Sequence, residues 1–222
     1  MSRWEIRIAA VVAAFVIGAI PNPATGVEQE SGMATAVLET LAVKGRAPKT
    51  GYTRAQFGPA WADVDRNGCD TRNDILKRDL TSITYRAKTR NCVVETGTLV
   101  DRYSGETINF VKGNISTMEL QLDHVVALFN AWQTGAFKLS ADQRKALSND
   151  PLNLFAVKGR LNSQKGDGDA ATWLPPLKSF RCAYVAQQIA VKAKYSLWVV
   201  PPEKAAMLSI LAKCPTQKVP VN

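Results

Sequence analysis

The chain has 222 residues, 46% of them hydrophobic, with 28 Lys and Arg against 19 Asp and Glu and a formal net charge of +9. That length can bury a real core as one ordinary domain or two small ones, and the basic balance points to a polyanion such as nucleic acid, anionic cell-wall polymer or a membrane surface. A single histidine, His124, excludes multi-histidine zinc sites and histidine relays, and four cysteines without a Cys-x-x-Cys pair disfavour a thiolate zinc site.

In chain order, residues 8–20 form an apolar run of thirteen preceded by Arg3 and Arg7. The run is too short to cross a bilayer as a helix, which needs about 20 residues. It suits a secretory signal peptide over residues 1–26, with small residues Ala24-Thr25-Gly26 before Val27. The alternatives are an uncleaved membrane anchor or a buried N-terminal helix. Residues 27–60 read as an N-terminal segment or linker, with a short helix over 34–43 and a Lys/Gly/Pro-rich loop over 44–52. Residues 63–74 match the calcium-loop template at its first, third, fifth and sixth positions, but Asp74 stands where a bidentate Glu is usual. A structural turn is the first reading of that loop and calcium the last. A helix is expected from Asp74 to Leu80, then strands over 83–86, 92–98 and 107–110, the last two as a hairpin about the Ser104-Gly105 turn. Residues 120–126 read as a strand that delivers Asp123 and His124.

Beyond it the pattern turns helical towards Gly135, Ser140 caps a helix over 141–147, and Asn149-Asp150-Pro151 breaks the chain. Residues 152–157 are a short apolar run, and helices are expected over 180–195 and 201–211. The whole reads as one α+β domain. An even set of cysteines after an export signal predicts two disulfides. Of three possible connectivities, Cys69–Cys92 and Cys182–Cys214 are favoured because each closes a modest loop within one region.

The chemistry concentrates between 123 and 165. An imidazole can take a proton from water near neutral pH, and a magnesium ion needs only one carboxylate and one amide oxygen from the protein, keeping waters elsewhere. Asp123-His124, then Asn153 in Pro-Leu-Asn-Leu, then Asn162-Ser163-Gln164-Lys165 offer that kit in order. This order resembles the HNH (His-Me finger, ββα-metal) endonuclease family, and most of all the secreted branch related to the C-terminal nuclease domain of GmrS/GmrD-type restriction enzymes. The resemblance covers roughly residues 61–214 and implies a ββα-metal core with added helices, placed in a nuclease domain over 61–222. It implies His124 as general base, Asp123 and Asn162 as ligands of Mg²⁺ or another divalent cation such as Mn²⁺, and Asn153 as the residue that holds the histidine loop. Lys165 falls on the family's Asn-x-x-Lys position and is expected to contact phosphate. The longer spacing from His124 to Asn153 implies a helical insert over 126–147. Arg72, in an Asn-Gly-Cys-Asp-Thr-Arg segment similar to that branch, is a candidate substrate contact.

Lys158, Arg160 and Lys178 with Trp173 between them could line a polyanion groove, although Trp173 alone reads as readily as a core-covering residue. The expected function is a secreted, metal-dependent endonuclease acting on DNA and leaving 5′-phosphate and 3′-hydroxyl ends. Its expected partner is therefore nucleic acid, with no stable membrane association after signal cleavage. The rival readings are a non-catalytic secreted polyanion-binding protein and an RNA-directed nuclease or toxin on the same fold.

Overall fold

The computed structural model of the chain describes Met1 and residues 32–113 and 119–221. The expected signal peptide therefore lies, Met1 apart, outside the described residues. The fold is α+β, with two small antiparallel sheets and seven α-helices among the described residues. Helix α1 spans Ala34–Thr40, α2 Thr71–Asp79, α3 Leu128–Gln133, α4 Ala141–Asn149, α5 Gly159–Lys165, α6 Arg181–Lys194 and α7 Pro201–Leu211.

Strands β1 (Thr81–Tyr85), β2 (Val94–Val100) and β3 (Thr107–Val111) form one sheet in that order. Alternation places Leu99 of β2 and Ile108 and Phe110 of β3 in a core that also holds Val94 and that α2 covers with Ile75 and Leu76. Gly97 lets Leu80 close over the sheet, since a Cβ there would stand 2.7 Å from Leu80 Cδ2. Helix α2 begins three residues earlier than the apolar pattern predicts. Asp70 caps it by accepting from the Asn73 amide, and Asn73 Oδ1 then accepts the Val94 amide at 3.0 Å, fastening helix to sheet.

The second sheet is an antiparallel pair, β4 (Leu120–His124) and β5 (Leu154–Lys158), with Asp123 opposite Phe155 and His124 opposite Leu154. Between the strands lie α3 and α4, the helical insert that the His124-to-Asn153 spacing predicts. Helix α4 starts at a capping box in which Ser140 and Gln143 exchange side-chain and backbone bonds. Helix α5 follows β5 directly, so β4, β5 and α5 make a ββα unit. The sequence pattern gave no sign of α5, because it is short, begins at Gly159 and lacks a side-chain N-cap.

A larger core lies on the helical side, where α6 and α7 pack with α1, α3 and α4. Residues 34–57 are part of it: Ala34, Leu38 and Phe57 are fully buried. Disulfides join Cys69 to Cys92 and Cys182 to Cys214, the favoured pairing. With sequence separations of 23 and 32, each stabilises the fold by about 3 kcal/mol in the loop-entropy estimate. Among the described residues no helix is long and apolar enough to cross a membrane.

Candidate active site

His124 is the last residue of β4, and the chain bends immediately after it. Neighbouring side chains of a strand alternate in direction, so Asp123 and His124 can border one cleft only because the strand ends there. Asn153 fixes the bend. Its Oδ1 accepts the Val126 amide at 2.8 Å, and its Nδ2 donates to the carbonyls of Val126 and Leu147, both at 3.3 Å. Fully buried, it ties the turn after His124 to the end of α4.

His124 Nε2 lies 2.9 Å from the carbonyl oxygen of Ser148. A carbonyl only accepts, so Nε2 carries the hydrogen and Nδ1 holds the lone pair in the neutral ring. Burial pulls the imidazole pKa down to about 4, outweighing the opposite pull of the Ser148 carbonyl and the Asp123 charge. The ring is therefore a free base at neutral pH. The Trp61 indole lies nearly parallel to it, with centroids 6.1 Å apart and 7° between planes. Trp61 adopts the left-handed backbone conformation, φ 59°, which costs a bulky residue about 1–2 kcal/mol. The next residue is anchored, since the Ala62 amide donates to Asn149 Oδ1 and its carbonyl accepts from Thr71 Oγ1.

Asp123 is buried between two donors. Lys165 Nζ donates to its Oδ1 at 2.8 Å and Tyr103 Oη to its Oδ2 at 2.5 Å. Lys165 also donates to the His124 carbonyl at 2.8 Å, and its side chain is fully buried. Lys165, expected to meet phosphate, is thus committed to other partners in this structure. The helical register of α5 turns it under β4, where it neutralises Asp123 instead. Tyr103 escaped the sequence reading, which placed it in an ordinary turn. Burial, with Asp123 adjoining, pushes its phenol well above its usual pKa, so it stays a donor.

A cleft of about 300 Å³ opens over this hairpin, bordered by Asp123, His124, Asn162, Asp167, Tyr52 and Arg54. Asn162 donates through Nδ2 to Gln121 Oε1 at 2.9 Å, which leaves its Oδ1 as an acceptor at the cleft. The other expected cations lie elsewhere. Lys158 ion-pairs with Glu106 at the far end of the hairpin, Arg160 and Lys178 are exposed outside the cleft, and Arg72 is half-buried at the start of α2. Burial lowers the Arg72 guanidinium pKa against the raising influence of Asp70.

Whether this donor set suits a divalent ion turns on its chemistry. Among the described residues no group of three or more His, Cys, Asp or Glu could form a metal cage. Asp123 keeps a lone pair on each oxygen beyond the bonds to Lys165 and Tyr103, and Asn162 Oδ1 adds a second hard donor. That set fits a largely hydrated magnesium-like ion rather than a protein-enclosed one. In the loop over 63–70 the acids serve the backbone. Asp63 accepts from the Asn67 and Gly68 amides, Asp65 from the Asn67 amide, and Asp70 caps α2.

Two comparisons with known proteins bear on this site. The family described as "GmrSD restriction endonucleases, C-terminal domain" matches residues 70–210. A protein of Arthroderma benhamiae, described as an uncharacterized secreted protein, is 34% identical over 209 residues, covering 92% of this chain and 97% of that protein. No solved structure matches the chain. The ββα unit with its Asp-His, Asn and Asn-x-x-Lys residues lies wholly inside the matched region, and the chain belongs to the GmrSD restriction endonuclease C-terminal domain family.

Proposed function

We propose that this protein is a secreted endonuclease that hydrolyses DNA phosphodiester bonds, with His124 as the general base. The carrying observation is the neutral His124 ring, whose hydrogen is engaged by Ser148 and whose Nδ1 lone pair remains available beside Asp123 and Asn162. In this reading a water attacks phosphorus and passes its proton to Nδ1. The P–O3′ bond breaks, and the departing oxygen takes a proton from solvent to leave 3′-hydroxyl and 5′-phosphate ends. Asp123 and Asn162 would hold Mg²⁺ or Mn²⁺, which supplies Lewis-acid stabilisation of the phosphoryl and leaving oxygens. Lys165 and Tyr103 orient the Asp123 carboxylate, and Asn153 keeps the loop behind His124 in place.

Export is part of the same proposal. Residues 1–26 would be removed as a signal peptide, and the two disulfides and the secreted relative support an oxidising destination. The test is supercoiled-plasmid nicking by the oxidised chain from Val27 to Asn222, with Mg²⁺, with EDTA, and by a His124→Ala variant. Cleavage is expected to need both the ion and His124. A fully active His124→Ala protein would refute the mechanism.

A further inference from the structure

We propose that the segment over 52–61 forms the substrate-facing wall of the cleft and that Arg54 is its phosphate-binding residue. This assignment rests on the hydrolytic reading above and adds the cationic side chain that reading lacks. A phosphodiester seated beside Asp123 and Asp167 needs a positive partner. Lys165, the cation expected for it, is committed to Asp123 and to the His124 carbonyl. Arg72, Lys158, Arg160 and Lys178 do not border the cleft, and among the described residues that line it only Arg54 is a Lys or Arg.

The Arg54 side chain is exposed and donates once, through Nη1, to the Gly58 carbonyl at 3.2 Å. A guanidinium has five N–H donors, so most remain for an anion. No described acid forms an ion pair with it, Asp167 included. The planar fork of donors suits a phosphate better than an ammonium does.

The support beneath Arg54 is firm. It begins a 3-10 turn, Arg54–Phe57, whose Phe57 is fully buried in the helical core. Arg144 of α4 donates to the Gln56 carbonyl at 2.8 Å. Ser148 Oγ donates to the Phe57 carbonyl at 2.9 Å, while the carbonyl of the same Ser148 holds His124. One residue of α4 thus sets the position of both the base and the segment that carries Arg54. Tyr52 packs on Phe129 of α3, ring centroids 4.7 Å apart, and Trp61 flanks the His124 ring. All of these wall residues precede residue 70, where the family match begins, so the wall lies outside the matched region that contains the ββα unit.

The experiment compares Arg54→Gln and Arg54→Lys with the parent in two assays. In plasmid nicking, Arg54→Gln is expected to lower kcat/KM by about tenfold or more, the usual loss for a charged hydrogen bond, and Arg54→Lys to recover part of it. In the second assay, a fluorescein-labelled DNA duplex is titrated with His124→Ala protein, with and without Arg54→Gln, over a range of salt. Loss of one phosphate contact is expected to reduce the slope of log affinity against log salt by about 0.9, with an unchanged Tm. That slope separates a phosphate contact from a merely structural role. An unchanged slope, or no DNA binding by the parent, overturns the assignment. Should His124→Ala nick DNA as fast as the parent, the hydrolytic reading fails, and the salt slope still decides Arg54.

Discussion

Burial keeps the His124 imidazole deprotonated down to about pH 4, well below its unfolded value of about 6.5. Between those limits the unfolded chain binds the proton more readily, so stability rises with pH and is lost as pH falls. The slope is at most about 1.4 kcal/mol per pH unit. Tm of the parent is therefore expected to fall from pH 7 to pH 5 more steeply than Tm of His124→Ala, and parallel curves would contradict this. The neighbouring carboxylate yields a second prediction. Tyr103→Phe strips Asp123 Oδ2 of its hydrogen bond and is expected to cost about 1–3 kcal/mol in urea unfolding. Plasmid nicking should slow as well, because Asp123 would be left oriented by Lys165 alone; an unchanged rate would show that Lys165 suffices.

Elements were legible where periodicity and punctuation agreed. Alternating apolar residues on either side of Ser104-Gly105 mark the hairpin of β2 and β3, and Ser140 with Gln143 three positions on marks the start of α4. Helix α5 had no such sign, and its register decides where Lys165 points. The Lys165–Asp123 bond spans 42 residues and the Tyr103–Asp123 bond 20, and such contacts follow from packing rather than from any local pattern. Lys158, Arg160 and Lys178 show the converse: neighbours in sequence, they are scattered by a strand end, a helix and a turn. Motif order singled out His124 and Asn162, which border one cleft, and Asn153, which holds the turn behind them, while the burial of Lys165 and the approach of Arg54 needed coordinates. The α4 cap gives an element-scale test. Ser140→Ala removes one half of the capping box and is expected to cost about 1 kcal/mol, with plasmid nicking at 25 °C unaltered. A larger loss with altered nicking would mean that the cap also sets Ser148.

For the molecule as a whole, the ββα hairpin is the seam between a sheet-side core and a helical core. Leu120, Leu122, Leu154 and Ala156 face the first, and Leu152 and Val126 join the second. Cys182 and Cys214 pack against the helical core, and a charged group buried inside that core is costly to leave without its partner. On the helical side that group is Lys192. Its ammonium, fully buried, lies 2.9 Å from Glu203 Oε1 and donates to the Trp198 carbonyl at 3.0 Å. Burial lowers the Lys192 pKa while Glu203 raises it, and Glu203 also accepts the Val200 amide at the start of α7. Lys192→Met leaves a buried carboxylate without its counter-charge and is expected to destabilise the fold by about 3–5 kcal/mol. Lys192→Met combined with Glu203→Leu removes both charges and should recover most of that loss, less the small contribution of the α7 cap. Urea unfolding of the two single variants and the double variant measures the coupling directly. If the double variant is as unstable as the sum of the singles, the two side chains contribute independently and charge coupling between α6 and α7 is absent.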